Sequence, residues 1–187
     1  MKLAITGHTK GIGKALADKF SNHYEVVGYS RTNGYDIGDE VTRNRIVEES
    51  KEFEIFINNA YHPIGQTNLL VKLIEEYKGT DKLIINISSK LAYFPSGTVF
   101  DGYKLIKEQQ NILIKDRFLI GSPRILNVIT GLVNTEMARS FDAPKLDVNN
   151  FADLIYTLVQ YKNIISVQQI VVDVPGLNWK DIKNNVE

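Results

Sequence analysis

Two hydrophobic patterns alternate along this chain. Nearly unbroken apolar runs occur at 2–6 (KLAIT), 24–30 (YEVVGYS), 54–58 (EIFIN), 82–88 (KLIINIS), 124–130 (RILNVIT) and 167–174 (VQQIVVDV). Between them, apolar residues recur at helical spacing over 14–22, 39–52, 67–78, 100–116 and 148–160, with Asp147 placed to cap the last. Strands that are apolar on both faces and separated by single helices predict a parallel sheet covered on both sides. Right-handed crossovers make that α/β fold doubly wound, in one domain spanning 1–187. The irregular stretches 61–66, 91–99 and 131–146 all follow strand C-terminal ends, where such sheets place their ligands.

Composition narrows the chemistry. Lys plus Arg (22) equals Asp plus Glu (22), so no basic face for nucleic acid is implied. The absence of cysteine excludes disulfides, thiolate metal sites and thiol catalysis. His8, His23 and His62 lack metal-ligand spacing, so no metal is expected. No apolar run nears the ~20 residues that cross a bilayer, and MKLAIT is too short for the apolar core of a signal peptide. The expected location is the cytoplasm.

Two stretches carry candidate chemistry. In TGHTKGIG, Gly7, Gly11 and Gly13 lie between the first strand and the first helix. Glycines there let the backbone turn sharply and approach a pyrophosphate, with helix N-terminal amides to hold its charge. The alternative is a tight strand–helix turn with no ligand. In DGYKLIKEQQ, Tyr103 and Lys107 stand one helical turn apart, on one face. The pair is either an ordinary surface pair or a phenol whose proton a nearby cation makes easier to lose.

TGHTKGIG, INNA (57–60), INISS (85–89), YKLIK (103–107) and NVITGLVNTEM (127–137) occur in an order that resembles the short-chain dehydrogenase/reductase family. The chain looks like an unusually short member, and the resemblance implies a Rossmann-type sheet of about seven strands. It implies an NAD(P)-dependent oxidoreductase that reduces a small carbonyl or oxidises the alcohol. Tyr103 is then the acid/base, Lys107 lowers its pKa and reaches the nicotinamide ribose, and Ser89 orients the substrate, with Ser88 the lesser candidate. Asn68 is the nearest match to a fourth catalytic residue, or else a helix cap. For the cofactor, the resemblance points to Gly7, Thr9, Lys10, Gly11, Ile12 and Gly13 in the turn, Asp36 and Ile37 beside the adenine, and Asn58, Asn59 and Ala60 along the adenosine. Thr135 is implied to contact the nicotinamide carboxamide or the phosphates, and Val133 to be a further cofactor contact.

The second strand ends YSRT, without the acid that would hydrogen-bond a ribose and repel a 2′-phosphate. Arg31 and Lys10, with hydroxyls from Ser30 and Thr32, favour NADP(H) over NAD(H). The chain departs from the family pattern in three places. Tyr61 replaces a glycine after Asn-Asn-Ala, where it crowds the cofactor or replaces a missing loop. Thr130 replaces a proline. The stretch between Ala60 and Ser89 is short, implying a small or open pocket lined by Tyr61, His62, Tyr93, Phe94, Met137 and Phe141. Trp179 is expected to pack an end or a partner surface. A homodimer or homotetramer is expected, with Leu105, Ile106, Ile112 and Leu113 divided between core and interface. The alternative to an enzyme is a non-catalytic NADP(H)-binding sensor or scaffold.

Overall fold

Residue parity along the strands assigns each side chain to one of two cores. The computed structural model describes residues 1–94, 101–178 and 183–184. Its strands are β1 (Lys2–Thr6), β2 (Glu25–Tyr29), β3 (Ile55–Asn58), β4 (Leu83–Ser89), β5 (Arg124–Thr130), β6 (Phe141–Asp142), β7 (Gln169–Val172) and β8 (Lys183–Asn184). Its α-helices are α1 (Gly11–Phe20), α2 (Glu40–Glu49), α3 (Gly65–Glu76), α4 (Asp101–Arg117) and α5 (Val148–Gln160). Leu3, Ile5, Ile55, Ile57, Ile85, Ile87, Leu126 and Val128 face one side, where Leu16 and Phe20 of α1 and Phe151, Ile155 and Val159 of α5 cover them. The alternate residues Ala4, Phe56, Ile84 and Ile125 face the other side, against Ile46 of α2, Leu69, Leu70 and Leu73 of α3 and Ile114 of α4. Successive side chains of a strand point to opposite faces, so each apolar run feeds both cores.

The parallel sheet has six strands in the order β2-β1-β3-β4-β5-β7. The stretch between β2 and β3 supplies α2 and two short 3-10 turns, and β2 forms the sheet edge. The two-residue strands β6 and β8 pair separately and antiparallel. From β1 the chain winds to β2 on one side and returns to β3 on the other. The switch point therefore falls between β1 and β3, where a crevice opens at the strand C-terminal ends.

The sheet aligns Asn58, Asn86 and Asn127 side by side on β3, β4 and β5. Asn58 Nδ2 donates to Asn86 Oδ1 at 3.0 Å, Asn86 Nδ2 to Asn127 Oδ1 at 3.1 Å, and Asn127 Nδ2 to Asn111 Oδ1 at 2.9 Å. This fully buried amide row crosses an otherwise apolar sheet because each amide meets its neighbour. Asp147 caps α5, its carboxylate accepting from the amides of Asn149 and Asn150. Leu105 and Ile112 of α4 are exposed, while Ile106 and Leu113 are half-buried. Trp179 lies outside the described residues, as does the part of the 91–99 stretch after Phe94. Among the described residues, no helix is long and apolar enough to cross a membrane.

Candidate active site

The crevice at the switch point has a volume of about 920 Å³. The glycine turn forms one wall. Gly7 takes φ +73°, a conformation that side chains with a Cβ rarely adopt. A Cβ on Gly13 would stand 2.1 Å from the Gly7 carbonyl oxygen, so the turn closes onto α1 only with glycine there. The first amides of α1 have no side-chain cap and no acid in the first turn. Free N–H groups at a helix start form a ready anion site.

Thr6 ties this turn to β3. Its Oγ1 accepts from the Asn59 and Ala60 amides at 3.0 Å each, and Asn59 Nδ2 donates to the Thr6 carbonyl at 3.0 Å. Gly7, Thr9, Lys10, Gly11, Ile12, Gly13, Asn59, Ala60 and Thr135 all line the crevice as expected. Asn58 and Val133 do not. Asn58 is fully buried in the amide row, and Val133 is buried and bridged to Leu146.

At the far end, Ser30, Arg31, Thr32, Asp36 and Ile37 line the crevice, joined by Tyr29 and Tyr35. The hydroxyls of Ser30 and Thr32 bond to each other at 2.7 Å, and Asn33 accepts from the Ser30 amide at 2.8 Å. These bonds shape the turn that exposes Arg31. The Asp36 carboxylate accepts from the Gly38 amide at 2.8 Å. Lys10 reaches across the crevice to Glu136 at 3.6 Å, both side chains largely exposed.

Tyr103 and Lys107 share one face of α4 and both reach the crevice floor, with Lys107 Nζ 5.6 Å from the Tyr103 ring centroid. Ser89, at the end of β4, lies close enough to the Tyr103 phenol to lower its pKa and accepts from the Leu91 amide at 3.3 Å, but it does not line the crevice; Ser88 does line it, and its hydroxyl donates to Asn111 Oδ1 at 2.7 Å. The expected lowering of the Tyr103 pKa by Lys107 is corrected here. Burial pushes the phenol up to about 12, with the Ser89 hydroxyl pulling the other way. Burial also brings Lys107 from 10.5 down to about 7, and a neutral amine exerts little field on its neighbour.

Asn68 is also corrected. It sits in the second turn of α3, caps nothing and does not line the crevice. Its neighbour Gln66, which the sequence reading left in a loop, meets Lys107 instead: Nζ donates to Gln66 Oε1 at 2.7 Å. α3 begins at Gly65, where a Cβ would stand 2.2 Å from the Ile37 carbonyl oxygen, so only glycine fits. That earlier start places Gln66 on the buried face with Leu69, Leu70 and Leu73. A polar residue at core spacing was the readable signal.

Of the expected pocket residues, Tyr61, His62 and Met137 line the crevice, while Tyr93, Phe94 and Phe141 do not. The Tyr61 ring packs 4.8 Å from the Tyr103 ring at 59°. Thr130 also lines the crevice. His8 packs against Gly28 of β2, away from the crevice. Among the described residues, no group of acids and histidines is placed to hold a metal.

No family model matches the chain, and no curated protein matches it. Solved structures do. A short-chain dehydrogenase from Burkholderia cenocepacia in complex with NADP is similar at TM-score 0.75 and 17% identity, over 93% of this chain and 90% of that one. The chain has the short-chain dehydrogenase/reductase fold. The 3-alpha-hydroxysteroid dehydrogenase from Pseudomonas sp., complexed with NADH, shares that fold at TM-score 0.74 and 19% identity, over 92% of this chain and 95% of that one. Serine dehydrogenase from Escherichia coli does so at 0.70 and 16%, over 92% and 97%. In this chain the glycine turn and the Tyr103 helix flank the same crevice.

Proposed function

We propose that the chain is an NADP(H)-dependent oxidoreductase that reduces a small carbonyl compound, or oxidises the corresponding alcohol. One observation carries this reading: Tyr103 and Lys107, one helical turn apart, open onto the crevice that the glycine turn lines. The turn fits a dinucleotide. Its backbone is packed as only glycine allows, and the α1 amides are free for pyrophosphate. Arg31 and Lys10 would hold a 2′-phosphate, Asp36 and Ile37 would flank the adenine, and Thr135 would meet the nicotinamide end.

A reduced dinucleotide held there would supply a hydride to the carbonyl carbon. Ser89 orients the carbonyl oxygen by hydrogen bonding. Tyr103 donates its phenolic proton to that oxygen, so the alkoxide leaves as an alcohol. In alcohol oxidation each transfer runs backwards. Tyr61, His62 and Met137 give a partly aromatic wall suited to a small substrate.

The test is to titrate the protein with NADPH and NADH by fluorescence, then to screen aldehydes and ketones for NADPH consumption. Tighter binding of NADPH with turnover of at least one carbonyl is expected. Binding without turnover across a broad panel would favour a sensor or scaffold, and failure to bind either dinucleotide would overturn both readings.

A further inference from the structure

We propose that Gln66 is the positioning residue for Lys107, a neutral acceptor that fixes the amine in the crevice floor and leaves it free to change charge. Its consequence for catalysis rests on the oxidoreductase reading; the contact itself does not. Gln66 is fully buried, and three bonds fix its amide. Nε2 donates to the carbonyls of Asn58 at 3.1 Å and Ile87 at 3.2 Å, and Oε1 accepts from Lys107 Nζ at 2.7 Å. The opposite amide orientation would aim NH₂ at the amine and oxygen at two carbonyls, so the carbonyls of β3 and β4 dictate which atom faces Lys107. The Gln66 carbonyl also accepts from Asn58 Nδ2 at 3.2 Å, which anchors the start of α3 to the buried amide row.

Lys107 Nζ donates a second bond to the Ile87 carbonyl at 2.9 Å. An ammonium has three N–H groups, so one remains for whatever fills the crevice. The titratable groups facing it are the phenols of Tyr61, 5.9 Å from Nζ to the ring centroid, and Tyr103. Burial depresses its pKa, and among the described residues no carboxylate offsets it. A glutamate at position 66 would set its second oxygen against the Asn58 and Ile87 carbonyls, whereas glutamine donates to both and accepts from Lys107 without choosing its charge state.

The experiment is an NMR pH titration of the protein alone, following the ε-carbon of labelled Lys107 and the side-chain amide of Gln66. In the native protein both signals should move with one shared midpoint near neutrality. A Gln66 amide that stays still while Lys107 titrates overturns the proposal. Gln66→Leu, which keeps the bulk and removes the acceptor, should lower the Lys107 midpoint by about half a pH unit or more; an unmoved midpoint in a folded variant overturns it equally. Neither arm uses cofactor or substrate, so a failed carbonyl screen would sink the oxidoreductase reading and leave this result standing. If that screen succeeds, Gln66→Leu should shift the pH profile of kcat/KM in the same direction.

Discussion

Replacing Lys107 by Met should stabilise the protein at low pH while abolishing its chemistry. The lysine is 2% exposed, and its pKa falls from 10.5 in water to about 7. Between those values the unfolded chain binds a proton that the folded chain does not, so native stability rises with pH. Below pH 7 the whole cost of burying the ammonium is present; above 10.5 it is gone. At about 1.4 kcal/mol per pH unit, the native protein should gain roughly 3 kcal/mol between pH 6 and pH 9 from this one group. Lys107→Met lacks that gain, and it leaves Gln66 Oε1 without its donor at a pH-independent cost of ~1–3 kcal/mol. The variant should therefore be more stable than the native protein by roughly 3 kcal/mol at pH 6 and about equal to it at pH 9. Urea unfolding of both proteins at the two pH values measures this, because all other titrating groups cancel in the difference. Parallel stability–pH curves would show that burial does not hold Lys107 toward neutrality.

Arg31→Asp should weaken NADPH binding about tenfold or more and narrow the gap to NADH, because a like charge then faces the 2′-phosphate; equal dissociation constants before and after would refute the cofactor assignment. Ser89→Ala removes the hydroxyl that lowers the Tyr103 pKa. It should cut turnover about a hundredfold and move the Tyr103 limb of the pH–rate profile upward with cofactor affinity kept; parallel loss of both would indicate misfolding instead. Gly13→Ala places a methyl group 2.1 Å from the Gly7 carbonyl oxygen. It should cost ~1–3 kcal/mol in thermal unfolding and abolish dinucleotide binding; native-like binding would show the turn has slack that the structure denies.

The main architecture was legible because strand and helix periodicities were unambiguous. Residues 2–6, 124–130 and 148–160 match their observed elements end to end, and the other strands shift by one or two residues. Tyr103, Lys107 and the glycine turn were legible because their spacing carries the chemistry. What escaped depended on partners distant in sequence. Gln66 matters through Lys107 and Ile87, neither near it in the chain, and was hidden by starting α3 two residues late. The amide row needed the register of three strands, although each apolar run holding one asparagine was a visible hint. The phenol's pKa was misjudged because spacing reports that a cation is near but not whether burial lets it stay charged. Asn68 was misassigned by the same late start, which put it close to the end of the helix rather than in its second turn.

The central claim is that Tyr103 delivers the proton in a crevice built for a dinucleotide. Its most direct test compares the native protein with Tyr103→Phe in NADPH affinity and in turnover of the best carbonyl from the screen. The account predicts affinities within about threefold and a loss of turnover of a hundredfold or more, the scale of general acid catalysis. Equal turnover by the two proteins would contradict it.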